Sequence, residues 1–437
     1  MDAAKTKQKL RITFTSDIPE EDTALESKER SEGGGQSKQR PKGRIWEYIA
    51  LATVPMVMVL GNSMLVPILP TLQRELGVSK FQSSLVISLF SVAAALVIPI
   101  AGYLSDRFNR KAVIIPGLIL YGGAGILAGF GAVWHSYGTL ITARAVQGIG
   151  AAATAPIAMA FVGDLYKAGT ESQALGLIEA ANGTGKVISP ILGSLFALLI
   201  WYAPFFAFPV FCFLSLAAMI FMIKEPNRKG NTKPIKEYIH SIGKIFKKDG
   251  KWLIASFFAG SLALFILFGV LFFLSEILEK PPYSIDGVIK GFVLAIPLFA
   301  MVCTAYITGN VIRKNGVLIR WLMNIGLALM VISLGLAIFF NKNLYVFIGL
   351  LTFSSIGTGL VLPCLNTMIT GAVEKSERGM ITSLYSSLRF FGVAFGPPLF
   401  GWLMDISHRI VFITVSALSL IALSLVFFLV KPGKKVA

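Results

Sequence analysis

The sequence predicts an all-α membrane protein with twelve transmembrane helices arranged as two pseudo-symmetric six-helix bundles. Three observations support this prediction: a very apolar composition, apolar stretches of membrane-spanning length, and an internal repeat. Of the 437 residues, 55% are hydrophobic and 14% are charged, and the mean hydropathy is +0.72. Because soluble proteins carry about 25% charged residues, this chain has too little charge to cover a large water-exposed surface.

The formal net charge of +17 would suggest nucleic-acid binding in a soluble protein. Here the basic residues lie mainly between the apolar stretches, where they set the orientation in the membrane, so we predict no nucleic-acid partner. The three cysteines lie in apolar stretches and have neither disulfide nor zinc-ligand spacing; they are Cys212, Cys303 and Cys364. We therefore predict no metal site and no cofactor.

Residues 1–44 form a separate region. They contain ten Lys/Arg, eight Asp/Glu and few aliphatic side chains. Such a segment buries too little apolar surface to offset the entropy of ordering, so we predict a disordered cytosolic tail. It lacks the apolar core of a signal peptide, and we expect it to be retained.

From Trp46 onward, apolar stretches recur with the length, roughly 20 residues, that a helix needs to cross the hydrocarbon core. Because no water reaches that core, each stretch must pair its own backbone groups and is predicted to be a helix. The twelve predicted spans, numbered 1 to 12 in chain order, cover residues 47–69, 83–104, 112–134, 137–163, 173–195, 200–223, 252–277, 290–311, 318–340, 344–371, 380–404 and 410–430.

The distribution of basic residues predicts the orientation, since cytosolic segments are enriched in Lys and Arg. With both termini in the cytosol, 31 of the 40 basic residues are cytosolic, counting Arg320 near the start of span 9. Six are external, counting Lys290 at the start of span 8, and the remaining three lie deeper within the spans. We therefore predict a multi-pass protein of the plasma (inner) membrane with both termini cytosolic.

The chain divides into two halves around a basic cytosolic linker, residues 224–251, which contains nine Lys/Arg. An offset of 207 residues aligns glycines and prolines in three places: Gly102 with Gly309, Gly150 with Gly357, and Pro190 with Pro397. The repeat predicts six-helix bundles at 45–223 and 252–431, followed by a cytosolic end at 432–437. Two bundles facing each other across a central path are typical of transporters.

The segment 102–111, directly after span 2, reads Gly-Tyr-Leu-Ser-Asp-Arg-Phe-Asn-Arg-Lys. It resembles the G-x-L-x-D-R-x-G-R-K pattern of the major facilitator superfamily, in particular of its twelve-helix drug/proton antiporter branch. Asp106 is suited to cap a neighbouring helix N-terminus, and it is also a candidate for proton coupling. The resemblance implies a gating loop; the alternative is a merely orienting basic loop. The gating residues would be Gly102, Asp106, Arg107, Arg110 and Lys111.

Span 4 opens with segment 140–150, Leu-Ile-Thr-Ala-Arg-Ala-Val-Gln-Gly-Ile-Gly, which is similar to the family's R-x-x-Q-G-x-G pattern. The resemblance implies a part in proton coupling for Arg144, which lies about two turns inside the helix, where a charge is costly unless paired or hydrated. The alternative is an arginine that snorkels to the outer interface. Gln147, and Asn62 in span 1, are candidate substrate contacts.

Spans 5 and 11 carry copies of the antiporter signature G-x-x-x-G-P-x-x-G-G, a groove of small residues that lets helices approach closely. Span 5 departs from it, with Ser189 and Ser194 at glycine positions, so exchange is less firmly implied than the fold. The predicted helix-packing residues are Gly185, Pro190, Gly193, Gly392, Gly396, Pro397 and Gly401.

Ionisable side chains within spans are candidate functional groups. Glu179, Asn182 and Lys186 are spaced three and four apart, so they share one face of span 5. Arg389 in span 11 matches Asn182 under the 207-residue offset, which predicts that spans 5 and 11 direct polar groups into one cavity. The alternative is that Glu179 and Lys186 are structural ion-pair partners.

Counting Arg144, the spans hold three bases against one acid at positions away from the membrane interfaces, and a positive cavity attracts anions. We therefore predict a proton-coupled secondary transporter that exports a small amphipathic molecule, preferably anionic, by alternating access. Glu179 would carry the proton, and Lys186 and Arg389 would contact the substrate.

A flippase for a lipid or lipid-linked sugar is the main alternative, and a non-transporting membrane protein is another. We predict no enzymatic activity, because the three His residues lie in different loops and form no cluster. The expected partners are the small-molecule substrate, protons and membrane lipids, and the expected state is a monomer.

Overall fold

The computed structural model describes residues 45–165, 169–224, 235–312, 315–340, 343–372 and 378–431. The predicted disordered tail and the end of the chain at 432–437 lie outside this part. All described residues belong to one compact unit, residues 43–437.

A helix is present at each of the twelve predicted spans. In chain order the helices are Ile45–Ser63 and Leu69–Leu76 (span 1), Lys80–Arg107, Arg110–Val133, Tyr137–Ala152 and Ala155–Leu165 (span 4), Gly169–Ala197, Ala203–Met222, Ile235–Leu278, Gly287–Ile312, Gly316–Ala337, Leu344–Ala372, Arg378–Ile406 and His408–Leu429. The predicted fold class, twelve helices in two six-helix bundles, is confirmed.

Spans 1 and 4 are each interrupted, which the sequence analysis did not predict. In span 1 a short 3-10 turn containing Pro67 separates the two helices, and Pro70 stands near the start of the second. In span 4 the break falls directly before the helix that contains Pro156. Proline has no backbone N–H to continue a helix but fits the first turn of a new one, so each proline favours a restart.

Span 7 is much longer than predicted. Its helix begins at Ile235 rather than near residue 252 and runs without a break to Leu278, over 44 residues. The second part of the predicted linker, residues 235–251, is therefore helical and continuous with the span.

Among the described residues, ten helices are long and apolar enough to cross a membrane by length and composition. The helices of spans 5 and 11 are not in this set. These two spans carry Glu179, Lys186 and Arg389, so these charged side chains lie in the two spans that do not meet this criterion.

The two halves meet along two helix pairs, span 2 with span 11 and span 5 with span 8. The 207-residue offset exchanges these two pairs, as expected of a duplicated unit. Between spans 2 and 11, the Ser387 hydroxyl donates to the Ala95 carbonyl at 2.6 Å. Between spans 5 and 8, a Cβ atom on Gly291 would lie 2.8 Å from the Pro190 carbonyl oxygen, so these helices are in close contact.

Close helix approach inside each half depends on glycines of the predicted packing motif. A Cβ atom on Gly193 would lie 2.0 Å from the Met64 carbonyl oxygen of span 1, and one on Gly392 would lie 2.1 Å from the Ser261 carbonyl oxygen of span 7. Any larger residue would therefore separate these helices. The other predicted packing residues, Gly185, Pro190, Gly396, Pro397 and Gly401, lie in the same two helices.

Candidate functional site

Arg144 lies in the interior of the N-terminal half with its side chain fully buried. Its Nε donates to the Val86 carbonyl at 2.8 Å, Nη1 donates to Gln147 Oε1, and Nη2 donates to Asn62 Oδ1 at 3.4 Å. The guanidinium stands 4.5 Å from the ring centroid of Phe90. Three hydrogen bonds and one aromatic ring thus hold the guanidinium in one orientation in the interior. A side chain that snorkelled to the interface would not make these contacts.

The predicted substrate contacts Asn62 and Gln147 belong to this buried cluster. Asn62 Nδ2 also donates to the Ser91 hydroxyl at 3.2 Å, while Gln147 Nε2 is buried without a hydrogen-bond partner. Within the described part of the chain, Arg144 forms no ion pair. Its charge is therefore balanced by neutral oxygens, among them a backbone carbonyl, and by an aromatic face, which is one of the ways in which buried intramembrane charges are accommodated.

Lys186 in the N-terminal half and Arg389 in the C-terminal half lie near enough for their charges to interact. The Lys186 ammonium group interacts electrostatically with both Arg389 and Glu179. Glu179 is exposed, while Asn182, Lys186 and Arg389 are partly buried. The structure thus brings together the charged residues of spans 5 and 11, and it places Asn62 and Gln147 elsewhere.

Arg389 has few protein partners. Nη1 donates to Asn366 Oδ1 of span 10 at 3.3 Å, and the guanidinium lies 5.3 Å from the ring centroid of Tyr385. Arg389 Nε is buried without a hydrogen-bond acceptor. Asn366 and Tyr385 were not singled out by the sequence analysis, because one polar side chain in an apolar span gives no sign of its partner.

Among the residues that the structure describes, none of Glu179, Lys186 and Arg389 forms an ion pair with a group of opposite charge. In this conformation the cluster is therefore not the structural ion-pair network that the sequence left open as an alternative. Two cations with one nearby acid remain, which makes this part of the path positive.

The segment after span 2 forms a network at one end of the molecule, which we call the motif end. Arg110 pairs with Asp106 at 2.8 Å and with Asp164 of span 4 at 2.9 Å. Lys111 Nζ donates to the Ile223 carbonyl at 2.8 Å, so it caps the end of span 6, where the helix dipole favours a cation. Asp164 is a partner that the sequence analysis did not name.

Two residues of the same segment contact the other half. Asp106 Oδ2 lies 3.7 Å from the position that a Cβ atom would take on Gly379, in the first turn of span 11, where the dipole favours an anion. A Cβ atom on Gly102 would lie 2.7 Å from the Ser383 hydroxyl oxygen. Arg107 instead lies beside the Phe108 ring, at 6.0 Å from its centroid.

The opposite end is held by polar contacts between the halves. Arg74 pairs with Glu279 at 2.5 Å, and Gln73 donates to Glu276 at 2.5 Å. Lys80 pairs with Asp405. We call these three contacts the end clamp.

Lys290 adds to the clamp, although the sequence analysis counted it only as a loop base. It pairs with Glu279 at 2.5 Å and donates to the Pro67 carbonyl of the other half, with 3% of its side chain exposed. The clamp partners are separated by more than 200 residues in sequence, so no local pattern reveals them.

Two bundles of six helices with a charged path between them define the class of secondary transporters that work between two half-bundles. The model of the Major Facilitator Superfamily matches residues 51–319 and 283–437. The chain belongs to this superfamily, and it is a membrane transporter rather than an enzyme.

The curated relatives include an exporter and several drug-resistance proteins. The chain is 44% identical over 390 residues to the bacillibactin exporter of Bacillus subtilis, covering 88% of this chain and 96% of the relative. It is 28% identical to multidrug resistance protein 1 of the same organism, covering 86% and 94%. It is 25% identical to the class C tetracycline resistance protein of Escherichia coli, covering 80% and 87%. Together they identify an efflux-type transporter of small molecules.

Solved structures share the fold at low sequence identity. A bacterial homologue of the human lysosomal transporter Spinster, in an inward-facing and occupied conformation, superposes with a TM-score of 0.71 at 15% identity, covering 89% of this chain and 97% of that one. A human organic anion transporter superposes with a TM-score of 0.67 at 20% identity, covering 89% and 100%.

Proposed function

We propose that this protein is a proton-coupled exporter of an amphipathic anion, working by alternating access in the plasma (inner) membrane with both termini cytosolic. The observation that carries the proposal is that Lys186 and Arg389, from opposite halves, lie near enough for their charges to interact, and that neither forms an ion pair with a carboxylate among the described residues. The motif end is then the cytosolic end, and the clamped end is external. We propose that the monomer is the working unit.

The hydrogen bonds of Arg389 favour an oxyanion with two adjacent oxygens. Asn366 occupies Nη1, whereas Nε has no acceptor. The Nε and Nη2 edge of a guanidinium matches the two oxygens of a carboxylate, and such bidentate pairs are among the strongest hydrogen bonds in proteins. Lys186 would add a point charge from the other half.

Substrate binding would then help the halves to close. Two like charges that approach each other across the path repel, more strongly where water is excluded. An anion between Lys186 and Arg389 removes this repulsion, so the loaded protein closes more readily than the empty one. A ligand with such differential affinity shifts the population of the closed state.

Glu179 is the proposed proton carrier. It is exposed, and its charge acts on Lys186. The charge of Glu179 acts on the lysine that would contact the substrate, so a change in the protonation of Glu179 changes the affinity of the site for the substrate. Asp106 and Arg144 remain candidates for a supporting part in this coupling.

Bacillibactin is the first substrate to test, because the relative that exports it is 44% identical to this chain over nearly its whole length. The full chain is expressed in Bacillus subtilis lacking its own bacillibactin exporter, and bacillibactin in the medium is measured by chromatography. We expect export to be restored. Export no greater than that of the empty vector would reject bacillibactin as the substrate.

Proton coupling is tested separately in proteoliposomes that contain a pH-sensitive dye. Wild-type protein should change the internal pH when substrate is added, and the sign of the change distinguishes exchange from co-transport. Glu179→Gln should bind substrate but abolish the pH response. The control is Glu75→Gln, an exposed acid in span 1, which should behave as wild type. A full pH response from Glu179→Gln would remove Glu179 from the mechanism.

A further inference from the structure

The extension of span 7 beyond the membrane is a feature that transport does not explain. The helix Ile235–Leu278 has 44 residues, and at about 1.5 Å per residue it is about 66 Å long. The hydrocarbon core of a bilayer is only about 30 Å thick. The first part of this helix therefore runs through and beyond the headgroup region at the motif end.

Four lysines lie on one face of this extension. They are Lys244, Lys247, Lys248 and Lys251, and all four are exposed. Their spacing of three, four and seven residues keeps them within one stripe of the helix. We call this stripe the lysine face.

The opposite face of the extension packs against the protein. Ile245, Phe246 and Trp252 are partly buried against the core, and the Phe246 ring lies 6.0 Å from that of Phe257, edge to face. This packing prevents the helix from rotating, so the lysine face stays directed away from the core.

The neighbouring residues place the lysine face at the membrane boundary. Ile254, one turn deeper, is 59% exposed, as expected for a side chain among acyl chains. Trp252 stands between Ile254 and Lys251, and tryptophan is enriched at membrane interfaces. The lysines themselves cover about 10 Å of helix, at about 1.5 Å per residue, which corresponds to the depth of one headgroup layer.

Among the residues that the structure describes, the acids near the lysine face do not neutralise it. Asp249 is partly buried on another side of the helix and accepts a hydrogen bond from Trp252 Nε1 at 3.2 Å. Glu237 is exposed on the same side as the lysines but lies two turns before Lys244.

We propose that the lysine face is a binding surface for the headgroups of anionic phospholipids. A fixed row of four ammonium groups at headgroup depth matches a layer of phosphates, and each basic residue near an anionic surface strengthens the attraction. The other possible occupant, the tail at residues 1–44, carries ten basic and eight acidic residues. Its small positive balance makes it a weaker partner for lysines than a layer of anionic lipid.

The test compares three forms of the full chain: wild type, a variant with all four lysines changed to Gln, and a matched variant with all four changed to Arg. Each is placed in nanodiscs of phosphatidylcholine alone or mixed with phosphatidylglycerol. Native mass spectrometry counts the phosphatidylglycerol that each form retains, and thermal unfolding measures the stabilisation by that lipid.

We expect wild type and the Arg variant to prefer phosphatidylglycerol, and the Gln variant to lose about fivefold in affinity for each lysine removed. The Gln variant should unfold at the same temperature as wild type in phosphatidylcholine alone, which controls for misfolding. Equal retention of phosphatidylglycerol by wild type and the Gln variant would overturn the proposal, as would a wild type without any lipid preference. Carbodiimide crosslinks between the lysine face and acidic residues of the tail, formed in phosphatidylglycerol nanodiscs, would assign the face to the tail and equally overturn it.

Discussion

The two halves of the molecule hold their intramembrane arginines in opposite ways. In the N-terminal half, Arg144 is fully buried and donates through three of its nitrogens. In the C-terminal half, Arg389 is partly buried, donates one hydrogen bond and has a buried Nε without an acceptor. Under the 207-residue offset, Leu351 stands where Arg144 would be repeated, and Asn182 stands where Arg389 would be.

Under the proposed function, the difference separates a structural role of Arg144 from a binding role of Arg389. A buried donor without an acceptor costs roughly 1–3 kcal/mol. Arg144 avoids this cost in the protein alone, whereas Arg389 avoids it when a ligand supplies the acceptor. The duplication therefore preserved the helices and their glycine contacts, while the charged groups diverged between the halves.

The largest effect is expected from Arg144→Leu, which makes the N-terminal half resemble the C-terminal one at this position. The variant leaves Asn62 Oδ1 and Gln147 Oε1 without the guanidinium donors, so we expect a loss of stability of about 2–5 kcal/mol and no measurable export. The thermal unfolding midpoint in detergent and the yield of folded protein measure this loss. A variant as stable as wild type would show that the hydrogen bonds of Arg144 do not hold the bundle together.

Arg389→Lys should reduce export without reducing stability. Lysine keeps the charge but cannot form a bidentate pair, so it loses one charge-assisted hydrogen bond to the substrate. Such a bond contributes about 1.5–3 kcal/mol, so transport of an anionic substrate should fall by about tenfold to a hundredfold. Export assays and thermal unfolding are run on the same preparation. Wild-type export by Arg389→Lys, together with loss of export by Arg389→Gln, would mean that charge alone is recognised.

Glu279→Gln tests the end clamp, in which the C-terminal half supplies the acids. The change weakens the contacts of Glu279 with Arg74 and with the buried Lys290, so we expect the clamped end to open several-fold more often. Labelling of a cysteine introduced at Leu72, which is fully buried at this end, measures the opening.

Asp405→Asn is the matched control, because the side chain of Asp405 is 58% exposed and exposed pairs contribute only about 0–1 kcal/mol. Equal labelling in the two variants would show that burial does not decide the strength of the clamp.

The smallest effect is expected from Asn366→Ala. Its side chain positions Arg389 through one hydrogen bond, worth about 1 kcal/mol, so the concentration of substrate for half-maximal export should rise about fivefold while the maximal rate stays similar. Thr370→Ala, which loses only hydrogen bonds to its own helix, is the control. A fall in the maximal rate alone would indicate that Asn366 acts on the conformational change and not on binding.

The spans were predictable because a membrane helix is a local feature of the chain. About 20 apolar residues satisfy their own backbone and match the bilayer without help from distant residues. The repeat also relates spans 5 and 11, and the spacing on span 5 defines one face, which is why the sequence predicts that Lys186 and Arg389 share a cavity. The breaks in spans 1 and 4 carried a local signal in Pro67 and Pro156, which the apolar pattern masked.

The tertiary structure decided the partners of each polar group. Asn366 on span 10 accepts a hydrogen bond from Arg389 on span 11. Gln73 donates one to Glu276, which lies 203 residues further along the sequence. The length of span 7 likewise depended on packing, because Ile245 and Phe246 hold a charged segment against the core as a helix. By itself the sequence determined which segments cross the membrane and which charges enter it, since both depend on local hydrophobicity. Which charges are paired and which stay open for a ligand depends on distances between helices, and only the folded bundle sets those.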